Sequence, residues 1–431
     1  MSVNDSYLNY ITDDMLLGDR SVPFGQLEQA QENQRNLYIF APGAIFSGGS
    51  SDNIWESTYA RIYTLNVIIN NVLNCPDGLP AEREALVAQA KTARAYEYLI
   101  LVNTYAKHYD AATAKSDLGV PIVLSEDINV KFKRNTVQEV YDQIMKDVAD
   151  ATPYITKNVP HKFRASKQFL NAFEARMYLY MGNYEKAKTV AENALELGIT
   201  MLNLCDYAIN PAANGMGRIW NPKTREAYPN PENNIESIFS RYGDGVGLSR
   251  NVYVSEDLLN VYKKNLPAGA TDQRRVLYMS DNTFKLYNNV YNFPGKSMWV
   301  AYTQFNSGIN GSELYLTLAE CYARLNNPDK ALDLVDIVRN NRITNNTPLA
   351  KTSKEAALRL VLEERRREFA MNGSIRLVDL KRLNKEDVFK KDIIHVAGPD
   401  SWTLPANDNR YIIPVPPKVI STNTDFPQYE R

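Results

Sequence analysis

A register of small and aromatic residues occurs twice in this chain, 144 positions apart, and it limits what the chain can fold into more than any other feature. Ala175, Tyr178, Gly182, Asn183, Lys186 and Ala187 in the first copy correspond to Ala319, Tyr322, Asn326, Asn327, Lys330 and Ala331 in the second. The small residues let a neighbouring helix approach, the tyrosines fill the space beside it, and the Gly-Asn or Asn-Asn step supplies a tight turn into a second helix. A helix pair of this kind cannot bury its apolar face alone and must stack on others. The repeat therefore predicts a helical scaffold rather than a catalytic fold.

That layout resembles the tetratricopeptide-type hairpin, and the periodicity around it extends the same reading. Trp55, Tyr59, Ile62, Asn66 and Ile69 form one helical stripe that ends near Cys75 to Gly78, and Pro80 opens a second helix running to about His108. Thr136 with Glu139 forms a capping-box signal, Ser166 caps the next helix, and Asn183 to Leu197 returns as a fifth. Ser312, Pro328 and Ser353 start three more, the last ending at Met371, with a short helix over Ser255 to Lys263. Between Cys205 and Arg250 helical periodicity fails, and from Leu266 to Gly311 the pattern is weakly strand-like. After Met371 the tail turns extended, and Tyr411 to Pro417, with three prolines, cannot be helix interior. The expected fold is mostly α: tetratricopeptide-like hairpins forming a scaffold, decorated by long irregular loops with few short strands.

Composition narrows the function mainly by exclusion. Lys plus Arg (49) nearly balances Asp plus Glu (50), so no global field favours nucleic acid or an anionic membrane. Cys75, Cys205 and Cys321 have neither paired nor zinc-ligand spacing. No metal site and no cofactor is expected. The start has neither a basic nor an apolar leader region, and no segment reaches the ~18 apolar residues of a membrane-spanning helix. His108, His161 and His395 are scattered, without a nucleophile motif. Glu363, Glu364 and Glu368 flank Arg365, Arg366 and Arg367 at salt-bridge spacing, which reads as a structural ion-pair network and not as an acid/base pair. The run Gly43 to Ser50 lacks the lysine a phosphate loop requires. No catalytic residue is assigned.

Most of the chain resembles the SusD/RagB family of surface lipoproteins, which capture nutrients for outer-membrane transporters of Bacteroidota. The helix QAKTARAYEYLILVNTYA with its exit Gly119, Val120, Pro121 is similar to that family's second helix, and Arg134, Thr136, Val137, Glu139, Tyr141 and Asp147 to the segment after it. The strongest likeness is VLEERRREFAMNGSIRLVDLKR, with Glu364, Arg365, Glu368, Gly373, Arg376, Asp379 and Arg382 in the family's places; Asn372 stands where a Glu is usual. The closing YIIPVPPKVISTN resembles the family's Pro-Ile-Pro tail, although Gln428 and Tyr429 depart from its usual Gln-Asn-Pro ending.

The resemblance implies a single domain over residues 1–431. Its scaffold would span about 55–197 and 312–372, its loop-rich ligand-binding part about 205–311 plus 38–54, and its extended tail 395–431. It further implies capture of an oligosaccharide or polysaccharide and delivery to a SusC-like TonB-dependent transporter at the cell surface. The protein would be held at the outer membrane only by a lipidated cysteine, whose leader and anchor precede Met1 and are expected to have been removed. A peptide-capturing RagB-like importer component, an intracellular tetratricopeptide adaptor and a glycoside hydrolase stand as rivals. The hydrolase is the least favoured, because no carboxylate pair stands out.

Sugar recognition in water relies on aromatic faces against C–H groups, with amides and hydroxyls collecting the sugar hydroxyls. Trp220 in GRIWNPKTREAYPNPENN, Trp299 in PGKSMWVAYTQFNSG and Phe46 in APGAIFSGGSSDN lie outside helical periodicity beside Asn, Ser or Gly, and are the candidate ligand contacts, followed by Tyr228 and Tyr302. For any one of them the commoner role of such an aromatic is to anchor its own loop to the scaffold, since large aromatics are mostly buried. Trp55 lies on a helical stripe and reads as packing; Trp402 has no clear loop context.

Overall fold

The computed structural model describes residues 2–3, 5–127, 129–210, 218–243, 245–301 and 303–431. The chain forms two compact units, one of residues 1–40, 198–377 and 391–405, the other of 41–197, 378–390 and 406–431.

The second unit is built from α2 (Asn53–Asn71), α3 (Pro80–Tyr105), α4 (Val137–Ala151), α5 (Lys167–Tyr180) and α6 (Tyr184–Leu195), after α1 (Glu32–Tyr38) of the first unit. The cap signals form as the sequence suggests. The Thr136 side chain accepts from the Glu139 N–H while Glu139 accepts from the Thr136 N–H, and the Ser166 and Asn183 side chains each accept from an N–H three residues on. Helices α3 and α4 are tied by Arg94, which makes two hydrogen bonds to Asp147, at 2.8 and 2.7 Å. Trp55 packs between Tyr59 and Tyr105, with ring centroids 4.9 Å away in both cases. Gly119 is fixed by close approach, since a Cβ there would lie 2.8 Å from the Thr136 carbonyl group.

The first unit contains α7 (Glu256–Lys263), α8 (Gln273–Tyr278), α9 (Gly311–Arg324), α10 (Pro328–Asn340) and α11 (Lys354–Glu368). Its largest sheet runs in the order Met15–Leu16, Tyr253–Val254, Asn289–Trp299, Met279–Leu286, all antiparallel. Tyr253, Phe284, Phe293 and Met298 pack together beneath it with Val22. His395 lies between the rings of Tyr38 and Phe40, and its two nitrogens are each 2.8 Å from a backbone carbonyl oxygen, of Tyr38 and Thr12. The scattered histidine thus has a structural setting.

Three expectations are corrected. The segment after Met371 is not extended at once: α12 (Gly373–Leu383) follows, because Met371 turns the chain at φ 59° and the Asn372 side chain accepts from the Ile375 N–H, capping a new helix. The C-terminal tail likewise holds a hairpin, Ile393–Ala397 with Asp400–Leu404, and a short helix α13 (Pro417–Thr422) that begins on a proline, where the missing N–H costs nothing. Residues 1–54, which Pro23, Pro42 and the run Gly48 to Ser51 mark as loop-like in sequence, contain α1 and a 3₁₀ helix over Ser6–Ile11. Among the described residues no helix is long and apolar enough to cross a membrane.

Candidate functional site

The first unit encloses a cavity of about 120 Å³. Its floor is a buried ion network assembled from segments far apart in sequence. Glu236 accepts from the Leu202 and Ser312 N–H groups, at 3.0 and 3.1 Å, so it also sits at the positive N-terminal end of α9. Arg342, just past α10, donates to both Glu236 oxygens at 2.9 Å and to Glu368 of α11 at 2.8 Å. Arg274 reaches Asp272, Glu364 and Glu368 at 2.7, 2.8 and 2.9 Å. Burial alone would raise Glu368, but Arg342 and Arg274 outweigh it and hold the carboxyl below its usual range. Arg342 and Arg274 are correspondingly pushed further up by these carboxylates, against the effect of burial. A carboxylate so fixed is not a proton donor at neutral pH, and the network reads as architecture.

One wall of the cavity is aromatic. Trp299, at the end of its strand, lies 5.6 Å from the Tyr278 ring and 6.0 Å from that of Phe305, while Tyr278 and Phe305 meet edge-to-face at 5.2 Å. Tyr228 hydrogen-bonds with Tyr278, and burial pushes its hydroxyl up to about 12. Opposite in character is an amide rim. The Asn306 amide donates to the Phe239 carbonyl (2.8 Å) and to Asn310 Oδ1 (2.7 Å), and its oxygen accepts from the Arg241 N–H (2.8 Å). The turn between α11 and α12 closes the cavity, with Gly373 so near Asn9 that a Cβ would lie 2.4 Å from the Asn9 nitrogen.

Of the five aromatics singled out in sequence, Trp299 and Tyr228 line this one cavity. Trp299 is only 2% exposed, so it offers no open face to solvent. Trp220 is half-buried on a two-residue strand paired with Ala208–Ile209, and the Tyr228 N–H donates to Ile219 beside it. Phe46 belongs to the other unit and is buried there. Tyr302 lies outside the described residues. Sequence reasoning missed Asn9, Glu236, Arg274, Arg342 and Asn306. Glu363, Glu364 and Glu368 are ion-paired as expected, but chiefly with Lys264, Arg274, Arg339 and Arg342 from elsewhere in the chain, the neighbouring Arg367 meeting Glu364 alone. Among the described residues no group of three or more His, Cys, Asp or Glu is placed to hold a metal ion.

Comparison with known proteins places this arrangement in context. Residues 161–430 match the SusD family, and residues 20–179 match a SusD-like family described as starch-binding and associating with the outer membrane. A SusD-like protein of Formosa agariphila is 22% identical over 231 residues, half of this chain, and the match spans 42% of that relative's length. Solved structures share the fold across nearly the whole chain. A SusD superfamily protein from Bacteroides fragilis superposes with a TM-score of 0.72 at 19% identity, covering 99% of this chain and 93% of its own. One from Bacteroides thetaiotaomicron gives 0.71 at 19%, covering 99% and 95%. A SusD-like carbohydrate-binding protein from Bacteroides vulgatus gives 0.66 at 18%, covering 98% and 90%. With a family match over well more than half its length, the chain belongs to the SusD family.

Proposed function

We propose that this protein is a non-catalytic glycan-binding component of the outer membrane surface. It would capture oligosaccharides and pass them to a SusC-like TonB-dependent transporter while held by a lipid anchor. The observation that carries the reading is the family match, supported by a cavity that joins an aromatic wall to an amide rim, the combination sugars require. The carboxylates nearest the cavity floor are held by arginines, which supports binding without hydrolysis. Trp299 and Tyr228 are the first candidate contacts, with Trp220, Phe46 and Tyr302 each to be tested separately.

Affinity electrophoresis against neutral and acidic polysaccharides tests the reading, with Trp299→Ala and Trp220→Ala run alongside. Retardation by one polysaccharide, reduced in a variant, supports glycan capture. Migration unchanged by every polysaccharide, or release of reducing ends from the retarding one, overturns it.

A further inference from the structure

The chain as a whole balances its charges, 49 Lys and Arg against 50 Asp and Glu, but one stretch departs from that balance. Between Asp150 and Glu174 there is no acidic residue, and Lys157, His161, Lys162, Arg164 and Lys167 all fall within it. The stretch connects α4 to α5 and closes on itself as a compact surface loop. The Lys167 N–H donates to the Thr156 carbonyl at 2.8 Å and the Arg164 N–H to that of His161 at 3.0 Å, while Ile155 and Ala165 are buried at its base. The first of these bonds sets the backbone of Lys157 beside that of Lys167.

Three of these cations meet no carboxylate among the described residues. Arg164 donates to the Gln89 side chain of α3 at 2.7 Å, a neutral partner, and Lys157 and Lys167 are exposed and lie in no ion pair. Asp150, the carboxylate next to the loop on α4, is already shared by two other cations, Lys91 at 2.7 Å and Lys146 at 2.8 Å. Lys167 is also the first residue of α5, where the helix end is itself positive and no acidic residue occupies the first turn. Like charges gathered in this way repel one another and attract a polyanion, the more so at low salt.

The company of the charges narrows the partner. Tyr154 is 48% exposed, Asn158 and His161 are exposed, and the His161 ring meets that of Phe163 edge-to-face at 5.9 Å. Cations beside rings and an amide suit an acidic saccharide, whose carboxylate or sulfate groups meet the cations while its C–H faces meet the rings. An anionic membrane would in addition call for exposed aliphatic groups to enter the lipid, and here Ile155 is buried and Val159 half-buried.

We infer that the loop over residues 156–167 is a second glycan contact, which holds polysaccharides bearing carboxylate or sulfate groups through Lys157, Arg164 and Lys167. The inference rests on the glycan-binding function proposed above and adds to it a selection by charge, made by residues none of which lines the cavity. Each exposed charge contributes little alone, so the contact acts on a repeating array of anions and not on a single acid sugar.

Dextran and dextran sulfate share one backbone and differ in charge, and polygalacturonate supplies carboxylates in place of sulfates. Binding of the full chain to each immobilised polymer is measured at low and at raised salt. The expected result is tighter binding to dextran sulfate or polygalacturonate than to dextran, weakening as salt rises. Lys157→Glu/Lys167→Glu should weaken polyanion binding about tenfold. Lys115→Glu/Lys285→Glu, which reverses two exposed lysines outside the loop, should weaken it less than about twofold. Unfolding midpoints check that both variants are folded. Equal weakening in the two variants would assign the attraction to the protein's overall charge and overturn the loop contact. If a neutral polysaccharide retards the protein while neither polyanion binds, the loop contact is overturned and the glycan function stands. If vesicles of phosphatidylglycerol and phosphatidylcholine bind through Lys157 and Lys167 while the polyanions do not, the loop serves a membrane and the inference is again overturned. If no polysaccharide of any charge binds, the loop contact and the glycan function fall together.

Discussion

In the hairpin of α5 and α6 the inward positions of the second helix are Ala187, Ala191 and Ala194, whereas in that of α9 and α10 they are Ala331, Val335 and Val338; all six are fully buried. The two hairpins otherwise correspond closely. Helices α5 and α9 begin and end 144 residues apart, their N-caps Ser166 and Asn310 differ by the same offset, and Asn183 and Asn327 cap the second helices through an N–H three residues on. Lys186 lies over the Tyr178 ring at 5.3 Å and Lys330 over that of Tyr322 at 4.2 Å. What differs is the surroundings. Helix α6 packs chiefly on α5, while α10 is held by both α9 and α11. The lesson is that one turn chemistry serves two settings: the first copy packs as a hairpin on its own, and the second leads directly into Arg342, one of the four charged residues of the cavity floor.

The strongest way to break the comparison is to cut the fastening that only the second hairpin has. Glu364 of α11 receives Arg339 of α10 at 3.4 Å, Arg367 at 2.9 Å and Arg274 at 2.8 Å, and it is fully buried. Glu364→Ala leaves three guanidiniums sharing a desolvated space without their common anion. Denaturant unfolding should show a loss of about 3–5 kcal/mol. Amide exchange should accelerate in α9 to α11 before it does in α5 and α6; equal acceleration in both hairpins would count against a local fastening.

A second test enlarges the same buried alanine in each copy. Extra methylenes in a packed interior cost about 1–3 kcal/mol unless a neighbour can move aside. Helix α6 can shift outward; α10, gripped on two sides, cannot. Ala331→Leu is therefore expected at the upper end of that range and Ala187→Leu at the lower, and comparison of unfolding midpoints checks the order.

The hairpins were legible from sequence because their information is local: a cap, a periodic stripe and a left-handed turn residue lie within about thirty positions of one another. The ion network was not, since Glu236, Arg274, Arg342 and Glu368 come from four separate segments and no spacing links them. Helix α12 was hidden for a related reason. Its entry depends on Met371 adopting φ 59°, which a sequence does not signal in a residue other than Gly or Asn. In the cavity, Trp299 and Tyr228 could be singled out as aromatics outside helical periodicity. Asn9 could not, because one asparagine in a stretch read as loop gives no sign that it will be buried in the lining of a cavity.

The copies also differ where Leu318, 2% exposed, corresponds to Glu174. Burial pushes the Glu174 carboxyl up to about 7, with Lys186 opposing in part. Between the ordinary value of 4.5 and about 7 the folded state therefore holds more protons than the unfolded one. This contribution is full below that window and falls as pH rises through it. Glu174→Gln should remove that slope and raise stability above pH 7 by on the order of 2 kcal/mol. Unfolding midpoints at pH 4.5, 6 and 8 give the test, and a slope that persists in the variant would assign it to another group.

The smallest expected effect probes the shared turn itself. Gly182 and Asn326 occupy the same step of the two hairpins, at φ 71° and 66°, and each is followed by the asparagine that caps the next helix. Glycine enters this region without steric cost, and asparagine is among the few other residues that tolerate it. Exchange of one for the other, Gly182→Asn or Asn326→Gly, should change stability by only a few tenths of a kcal/mol, because both satisfy the same backbone requirement. Alanine satisfies neither, and Gly182→Ala or Asn326→Ala should cost about 1–2 kcal/mol. No side chain crowds Gly182, where the nearest atom to an added Cβ is the Tyr184 hydroxyl at 3.9 Å, so the alanine cost there is backbone strain and nothing else. If Gly182→Ala proved as mild as Gly182→Asn, the turn would not be what the two copies have in common, and their likeness would rest on the buried alanines and the tyrosine–lysine contact alone.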